Sequence, residues 1–189
     1  MPDRAATPDR ATPEIKVFRC GPQQVPSAAE VEVLCFAATC GRPLHESRAT
    51  AAGYARLYAA LLRRPDLEAV AARATSGHLA GFAYGHAWRW AEQADDWAVQ
   101  LRESLGAAAD RLDGRFAVYL LAVHPWYRRA GLGRQLLRTL VSATKTGAWL
   151  ITPDEPTPAM AFYQREGWEP VGHAPETLSD CPVVVLTHH

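Results

Sequence analysis

The chain has 189 residues, 48% of them hydrophobic and 21% charged, enough to close a sizeable core in one domain. Its 20 basic and 20 acidic side chains cancel, so bulk charge excludes a nucleic-acid or membrane-surface binder built on electrostatics. No apolar run approaches the roughly 20 residues of a membrane span.

Residues 1–13 repeat a small Ala-Thr-Pro-Asp-Arg theme that buries little, which predicts a disordered tail ahead of a single domain over 14–189. The same stretch lacks the apolar centre of a signal peptide, so a cytoplasmic protein is expected. Cys20, Cys35, Cys40 and Cys181 have no metal-type spacing and read as free thiols. Glu14 to Cys20 alternates Ile15 and Val17 with polar neighbours, as a first strand does. Ser27-Ala28-Ala29-Glu30 is a capping box, and the helix it opens carries Val31, Leu34, Cys35 and Ala38 on one face, ending at Gly41-Arg42-Pro43. A second helix is predicted from about Thr50 to Arg63, with Tyr54, Leu57, Tyr58 and Leu61 as its buried stripe and Pro65 at its end.

Leu67 to Thr75 and Leu79 to Trp90 read as strands joined at Ser76-Gly77. On the second, Tyr84, His86, Trp88 and Trp90 alternate and share a face, suited either to a pocket for an apolar amine or to packing under a helix. The connection to Arg115 is long for a hairpin. Trp97, Leu101 and Leu105 recur every four residues within it, so it holds an amphipathic helix, either a cover for the sheet or a wall of an acceptor pocket.

Phe116 to Val123 is an apolar strand, stopped by His124-Pro125 because proline fixes φ and donates no hydrogen bond. Arg128-Arg129-Ala130-Gly131-Leu132-Gly133-Arg134 follows, and Leu136, Leu137, Leu140 and Val141 then recur at helical spacing. A glycine-containing basic turn that opens a helix is an anion site, because first-turn N–H groups lack partners and the helix dipole favours negative charge. It is neither the phosphate loop of nucleotide hydrolases nor the dinucleotide fingerprint, since both glycine patterns are missing. After the helix of Arg134 to about Lys145, the remaining elements are strand Trp149 to Thr152, helix Thr157 to Glu166, and strands Trp168 to His173 and Val183 to Leu186. Strands alternating with helices imply a mixed α/β sheet.

Two of these stretches together resemble the GCN5-related N-acetyltransferases (GNAT). Arg128-Arg129-Ala130-Gly131-Leu132-Gly133 fits the family's Gln/Arg-x-x-Gly-x-Gly/Ala signature, and Ala159 to Trp168 fits a second family signature further on. The resemblance implies a central mixed, mostly antiparallel twisted sheet whose parallel central strands splay apart, with flanking helices. It implies acetyl-CoA as donor and an amine acceptor, expected to be a small molecule, with no nucleic acid, no membrane and the oligomeric state left open, a homodimer included. It places the pyrophosphate on Arg128, Arg129, Ala130, Gly131, Leu132, Gly133 and Arg134, and the pantetheine arm on the backbone of Leu121, Ala122 and Val123. The Val123 N–H is then a candidate oxyanion donor, and Tyr163 the candidate general acid for the leaving thiolate.

The general base is not given by the resemblance. Many relatives carry a carboxylate on the core strand, but Ala117 and Leu120 stand where it is expected, with Tyr119 between them on the other face by strand alternation. An amine of pKa about 10.4 must still lose a proton. His45, Glu46, His86 or a chain of waters are the candidates, while His124 reads as a strand-end residue. Pro156 stands where relatives often place an asparagine. A non-catalytic acyl-CoA sensor and a protein acetyltransferase are the rival readings.

Overall fold

The structure is a computed structural model and describes residues 14–41, 44–142, 144–175 and 181–189. The tail expected at 1–13, and Arg42-Pro43 at the end of the first helix, lie outside them. The strands are β1 (Ile15–Arg19), β2 (Glu68–Ala74), β3 (Leu79–Ala87), β4 (Phe116–Val123), β5 (Ala148–Pro153), β6 (Glu169–Ala174) and β7 (Val183–His188). The helices are α1 (Ala28–Thr39), α2 (Arg48–Leu61), α3 (Asp96–Leu105), α4 (Leu132–Val141) and α5 (Pro158–Arg165), with short 3-10 turns at Trp90–Glu92, Gly106–Leu112 and Pro125–Tyr127.

Local chemistry sets several of these bounds. The capping box forms: the Ser27 hydroxyl accepts from the Glu30 N–H at 3.3 Å, and the Glu30 carboxylate accepts from the Ser27 N–H at 2.9 Å. Helix α2 starts earlier than its apolar spacing suggests, because the Ser47 hydroxyl accepts from the Thr50 N–H at 3.1 Å and caps it. Its buried line is Ala51, Ala55 and Tyr58, and Leu57 faces outward.

The seven strands form one sheet in the order β1-β2-β3-β4-β5-β7-β6, antiparallel except between β4 and β5. That parallel pair is brief: Phe116, Ala117 and Val118 pair with Ala148, Trp149 and Leu150, and the strands then part. Beyond Val118, β4 stays paired with β3 as far as Val123 opposite Gly81. The expected splay is therefore present, as a wedge whose vertex lies at Val118 and Leu150.

The β3–β4 register shifts at Tyr84/Gly85, leaving Tyr119 as an extra residue on β4. The bulge corrects the alternation expected from sequence. Tyr119 and Leu120 both face the layer under α1 and α2, while Val118 and Leu121 face the layer under α4 and α5. A third apolar layer, also containing Tyr119, packs α3 on Trp88, Ala117, Trp149 and Val185.

The aromatic row on β3 proves to be packing. Tyr84, His86 and Trp88 are no more than 2% exposed, and Trp90 belongs to the turn after the strand. Tyr58 of α2 meets Phe82 and Tyr84 at 5.2 and 5.0 Å, and Trp88 meets Trp149 edge-on at 5.0 Å. The long connection is thus a cover: Ala98, Leu101 and Leu105 of α3 are buried against that face.

Gly85, beside the bulge, has no room for a side chain. A Cβ there would fall 2.1 Å from the Ala117 carbonyl oxygen and 2.6 Å from the Phe116 ring. Gly85→Ala should cost about 1–3 kcal/mol of stability, the usual range for overpacking, read as a lowered midpoint in urea; an unchanged midpoint would refute the close approach.

Candidate functional site

The turn from His124 to Gly131 is built by backbone geometry. Tyr127 N–H donates to the His124 carbonyl at 2.9 Å, closing the 3-10 turn. Arg129 and Gly131 then take left-handed conformations, with φ of 66° and 78°. Gly131 is the N-cap of α4 with no side-chain cap, and the first helical bond runs from the Gln135 N–H to its carbonyl. The N–H groups at the start of α4 are therefore uncapped. Nothing lies within 4 Å of where a Gly131 Cβ would be, so the space in front of the turn is open.

The three arginines of the turn do different things. Arg128 folds back, its Nε donating to the Val123 carbonyl at 3.3 Å and its Nη2 to the Ala38 carbonyl, and so ties the turn to the ends of β4 and α1. Arg134 is held by Glu166 at 2.6 Å, and Arg138 meets the same carboxylate at 3.3 Å. Among the described residues Arg129 carries no ion pair and is exposed. The grip of Glu166 on Arg134 is a role that the sequence alone did not reveal, since 32 residues separate the pair.

The edge of β4 that faces the wedge follows from one hydrogen bond. His124 N–H donates to the Ala80 carbonyl at 2.9 Å, so in an antiparallel ladder Ala122 also turns its amide and carbonyl toward β3. Leu121 and Val123 turn theirs the other way, where no described strand pairs with them. Of the three residues expected against a pantetheine arm, Leu121 and the Val123 N–H face the wedge, the Val123 carbonyl is taken by Arg128, and Ala122 presents its groups to β3. The unpaired edge is chemically suited to a chain of amides, and the uncapped start of α4 to a pyrophosphate.

Tyr163 lies on α5, which is capped by the Thr157 hydroxyl accepting from the Met160 N–H at 3.0 Å, with Pro158 in its first turn. Pro156 precedes the cap and lines, with Asp154, Glu155, Met160 and Gln164, an open groove at the start of the helix. The Tyr163 ring is 8% exposed and packs beside Phe162 and Trp168, in the layer shared with α4 and β5. Burial pushes its phenol above the ordinary value, so it is a neutral donor at pH 7.

The base candidates separate. His45 sits exposed in a left-handed conformation, and Glu46 accepts from the Tyr54 hydroxyl at 3.3 Å. His124 receives the Trp126 N–H at Nδ1, 3.4 Å, and stands edge-on to His78, as a strand-end residue. His86 is 1% exposed and stacks on Tyr119, with ring centroids 4.8 Å apart. Tyr119 is a site neighbour that sequence reasoning put on the wrong face, because no residue pattern marks the bulge. Among the described residues no group of His, Cys, Asp and Glu could hold a metal ion, and Cys20, Cys35 and Cys40 are free thiols.

Burial lowers the pKa of His86; burial, then His78 and Arg128, lower that of His124. Unfolding restores both toward about 6.5. Between that value and their folded values the unfolded chain binds protons that the folded one refuses, so stability is full above about pH 6.5 and falls as pH drops. The urea midpoint should decline between about pH 6.5 and 5, and less steeply in His86→Gln; a flat midpoint would contradict the assignment.

Among curated proteins, none matches the sequence. A family model described as "Acetyltransferase (GNAT) domain" matches residues 76–170, just over half of the chain. Solved structures share the fold along nearly the whole length. A GNAT-family protein from Desulfovibrio desulfuricans is 17% identical, covers 93% of this chain and 99% of its own, and superposes with a TM-score of 0.61. Arabidopsis thaliana NAA60, solved with a bisubstrate analogue, is 16% identical over 93% of this chain and 97% of its own, TM-score 0.60. The ribosomal-protein-S18-alanine N-acetyltransferase of Escherichia coli is 16% identical over 92% of each chain, TM-score 0.53.

Proposed function

The chain belongs to the GNAT acetyltransferases, and on that premise we propose that it moves the acetyl group of acetyl-CoA directly onto a primary amine, within one domain that starts near residue 14. The observation that carries this reading is the parting of β4 from β5 beside an uncapped, glycine-opened helix. A pantetheine arm needs peptide-like partners along one edge, and a pyrophosphate needs uncapped N–H groups at one end; the two stand in line here.

In this reading the turn from Arg128 to Arg134 takes the pyrophosphate, with Arg129 free to add charge and Arg134 shared with Glu166. Val123, next to the turn, takes the pantetheine. Leu121, one step nearer the vertex, is the N–H we assign to the thioester carbonyl in place of Val123, because the acetyl end must lie deeper than the arm that carries it. Such a donor stabilises the oxyanion as the amine attacks. Tyr163 gives its proton to the departing thiolate; the burial that keeps the phenol neutral disfavours a bare thiolate equally.

The acceptor we propose is a small amine that reaches the thioester across the wedge. The aromatic face of β3 is closed by α2 and α3, so it supplies no slot of its own. The alanine acceptor in the name of the Escherichia coli relative makes a peptide amine the class to test beside small amines. The absence of a carboxylate at Ala117 and Leu120 favours a second reading, an acyl-CoA sensor, which binds acetyl-CoA and releases no CoA with any amine.

Calorimetry with acetyl-CoA should give micromolar binding, and Gly131→Asp should abolish it by placing charge and bulk at the anion site; normal affinity in that variant would remove the turn from the cofactor site. Tyr163→Phe should bind acetyl-CoA normally and turn over about 100-fold more slowly, the low end of what a positioned acid contributes. Equal turnover by the two proteins would take Tyr163 out of the mechanism.

A further inference from the structure

His86 has a feature that packing leaves unused. Its Nδ1 lies 2.7 Å from the Ala87 carbonyl oxygen. A carbonyl only accepts, so Nδ1 carries the proton and Nε2 carries a lone pair. That Nε2 is buried and has no hydrogen-bond partner. Buried polar atoms are nearly always paired; the Trp88 and Trp149 indole nitrogens nearby are unpaired as well, so this cluster has hydrogen bonds left to make.

The position of the ring says what that is. His86 pairs with Ala117 across β3 and β4, and Ala117 pairs with Trp149 across β4 and β5. Residues so paired share a face, so a single methyl group lies between an imidazole and an indole. The next pair along, Val118 with Leu150, is the last before the wedge opens. Tyr119, displaced by the bulge onto the same face, stacks on the imidazole at an angle of 26° between the rings. The imidazole therefore lies one pair behind the vertex, three residues along β3 from Ala83, the partner of the Leu121 given to the thioester in the function proposed above, about 10 Å at the usual strand rise.

We propose that His86 is the general base of the transfer, its Nε2 taking the proton of the acceptor amine through water that enters from the wedge. This rests on the acetyltransferase reading and deepens it. The amine is neutral when it attacks. Its lone pair forms the C–N bond while the carbonyl π pair moves onto oxygen, and the nitrogen passes one proton to Nε2. The oxyanion then collapses, the C–S bond breaks, and the thiolate takes the Tyr163 proton. Amide and CoA thiol are the products, and once they leave, water entering the emptied wedge returns the proton from the imidazolium to the phenolate.

Charged groups near the ring come from two connections. Arg64 and Asp66 lie in the α2–β2 connection and Glu92 in the turn after β3, with the Arg64 guanidinium held by both carboxylates at 2.9 and 3.0 Å. From β4 comes Tyr119, whose phenol burial pushes up to about 12, while α3 offers the apolar Ala98, Leu101 and Leu105. Burial keeps the resting imidazole neutral; the Ala87 carbonyl favours the imidazolium, the Arg64 guanidinium opposes it, and Asp66 and Glu92 offset Arg64.

The test begins with histidine labelled by 15N and needs no acceptor. At pH 7.5 the His86 signals should be those of a neutral ring protonated on Nδ1, and saturation with acetyl-CoA should shift Nε2. A ring protonated on Nε2, or an Nε2 that ignores bound acetyl-CoA, would overturn the proposal. Calorimetry on the same sample separates the two readings: no acetyl-CoA binding defeats the acetyltransferase reading, whereas binding with a silent His86 defeats this one alone.

Kinetics follow with the fastest acceptor among spermidine, kanamycin, phenethylamine and an alanine-terminated peptide, or with water if none reacts. His86→Gln should lower kcat about 100-fold at unchanged KM for acetyl-CoA and remove the acid limb of the pH profile. Added imidazole should restore part of the rate in His86→Ala. A retained rate and pH profile in His86→Gln, with its fold verified by thermal melting, would overturn the assignment.

Discussion

Strands β4 and β5 share three residue pairs and then separate, and most of what matters in this molecule follows from that separation. A parallel pair that stops early leaves backbone N–H and C=O groups that water or a ligand must satisfy. The fold can bear it because β4 remains laddered on its other side by β3, save at the Tyr119 bulge, and β5 by β7 along its whole length. Each parting strand thus keeps a neighbour on its other edge. The layer under α4 and α5 then packs both strands from the same side, with Leu136 and Leu140 of α4 inaccessible and Leu150 nearly so.

The opposite face is arranged to make the vertex rigid. Aromatic rings follow one another from Tyr58 through Phe82, Tyr84 and Tyr119 to His86, and Trp88 and Trp149 meet edge-on beyond them. Such rings have few rotamers and interlock at fixed distances. Helix α3 and the turn after it close this face, with the Trp90 indole donating to the Ala109 carbonyl at 3.0 Å. The long connection between β3 and β4 is therefore a structural lid on the sheet, and it keeps a neutral imidazole out of bulk water.

Much of this could be read from the sequence, because it depends on neighbours along the chain. The apolar run Phe116 to Val123, the proline that stops it, the glycine turn and the Ser27–Glu30 capping box are local patterns with local causes. The order of strands and helices followed from periodicity and the resemblance. What stayed hidden depends on partners distant in sequence. The bulge at Tyr119 arises from the register with β3, and it moves one ring to the other face. Which of Leu121, Ala122 and Val123 faces the wedge is set by a single bond from His124 to Ala80. Glu166 belongs to the second signature by position, yet its partners are on α4. Leu57 falls in the apolar stripe of α2 and still faces solvent, because the buried line of the helix runs through the small residues Ala51 and Ala55 to Tyr58 instead.

The Glu166 carboxylate is only 7% exposed while the arginines that flank it are largely in water. It joins α4, through Arg134 in the first turn and Arg138 in the last, to the end of α5, the two elements on which the candidate anion site and the candidate acid stand. The two helices are therefore tied by one shared carboxylate in addition to their common apolar layer. For anyone redesigning this site the unit of exchange is the trio Arg134, Arg138 and Glu166: removing Glu166 alone would leave two arginines without their shared carboxylate, whereas transplanting all three would keep the charges matched.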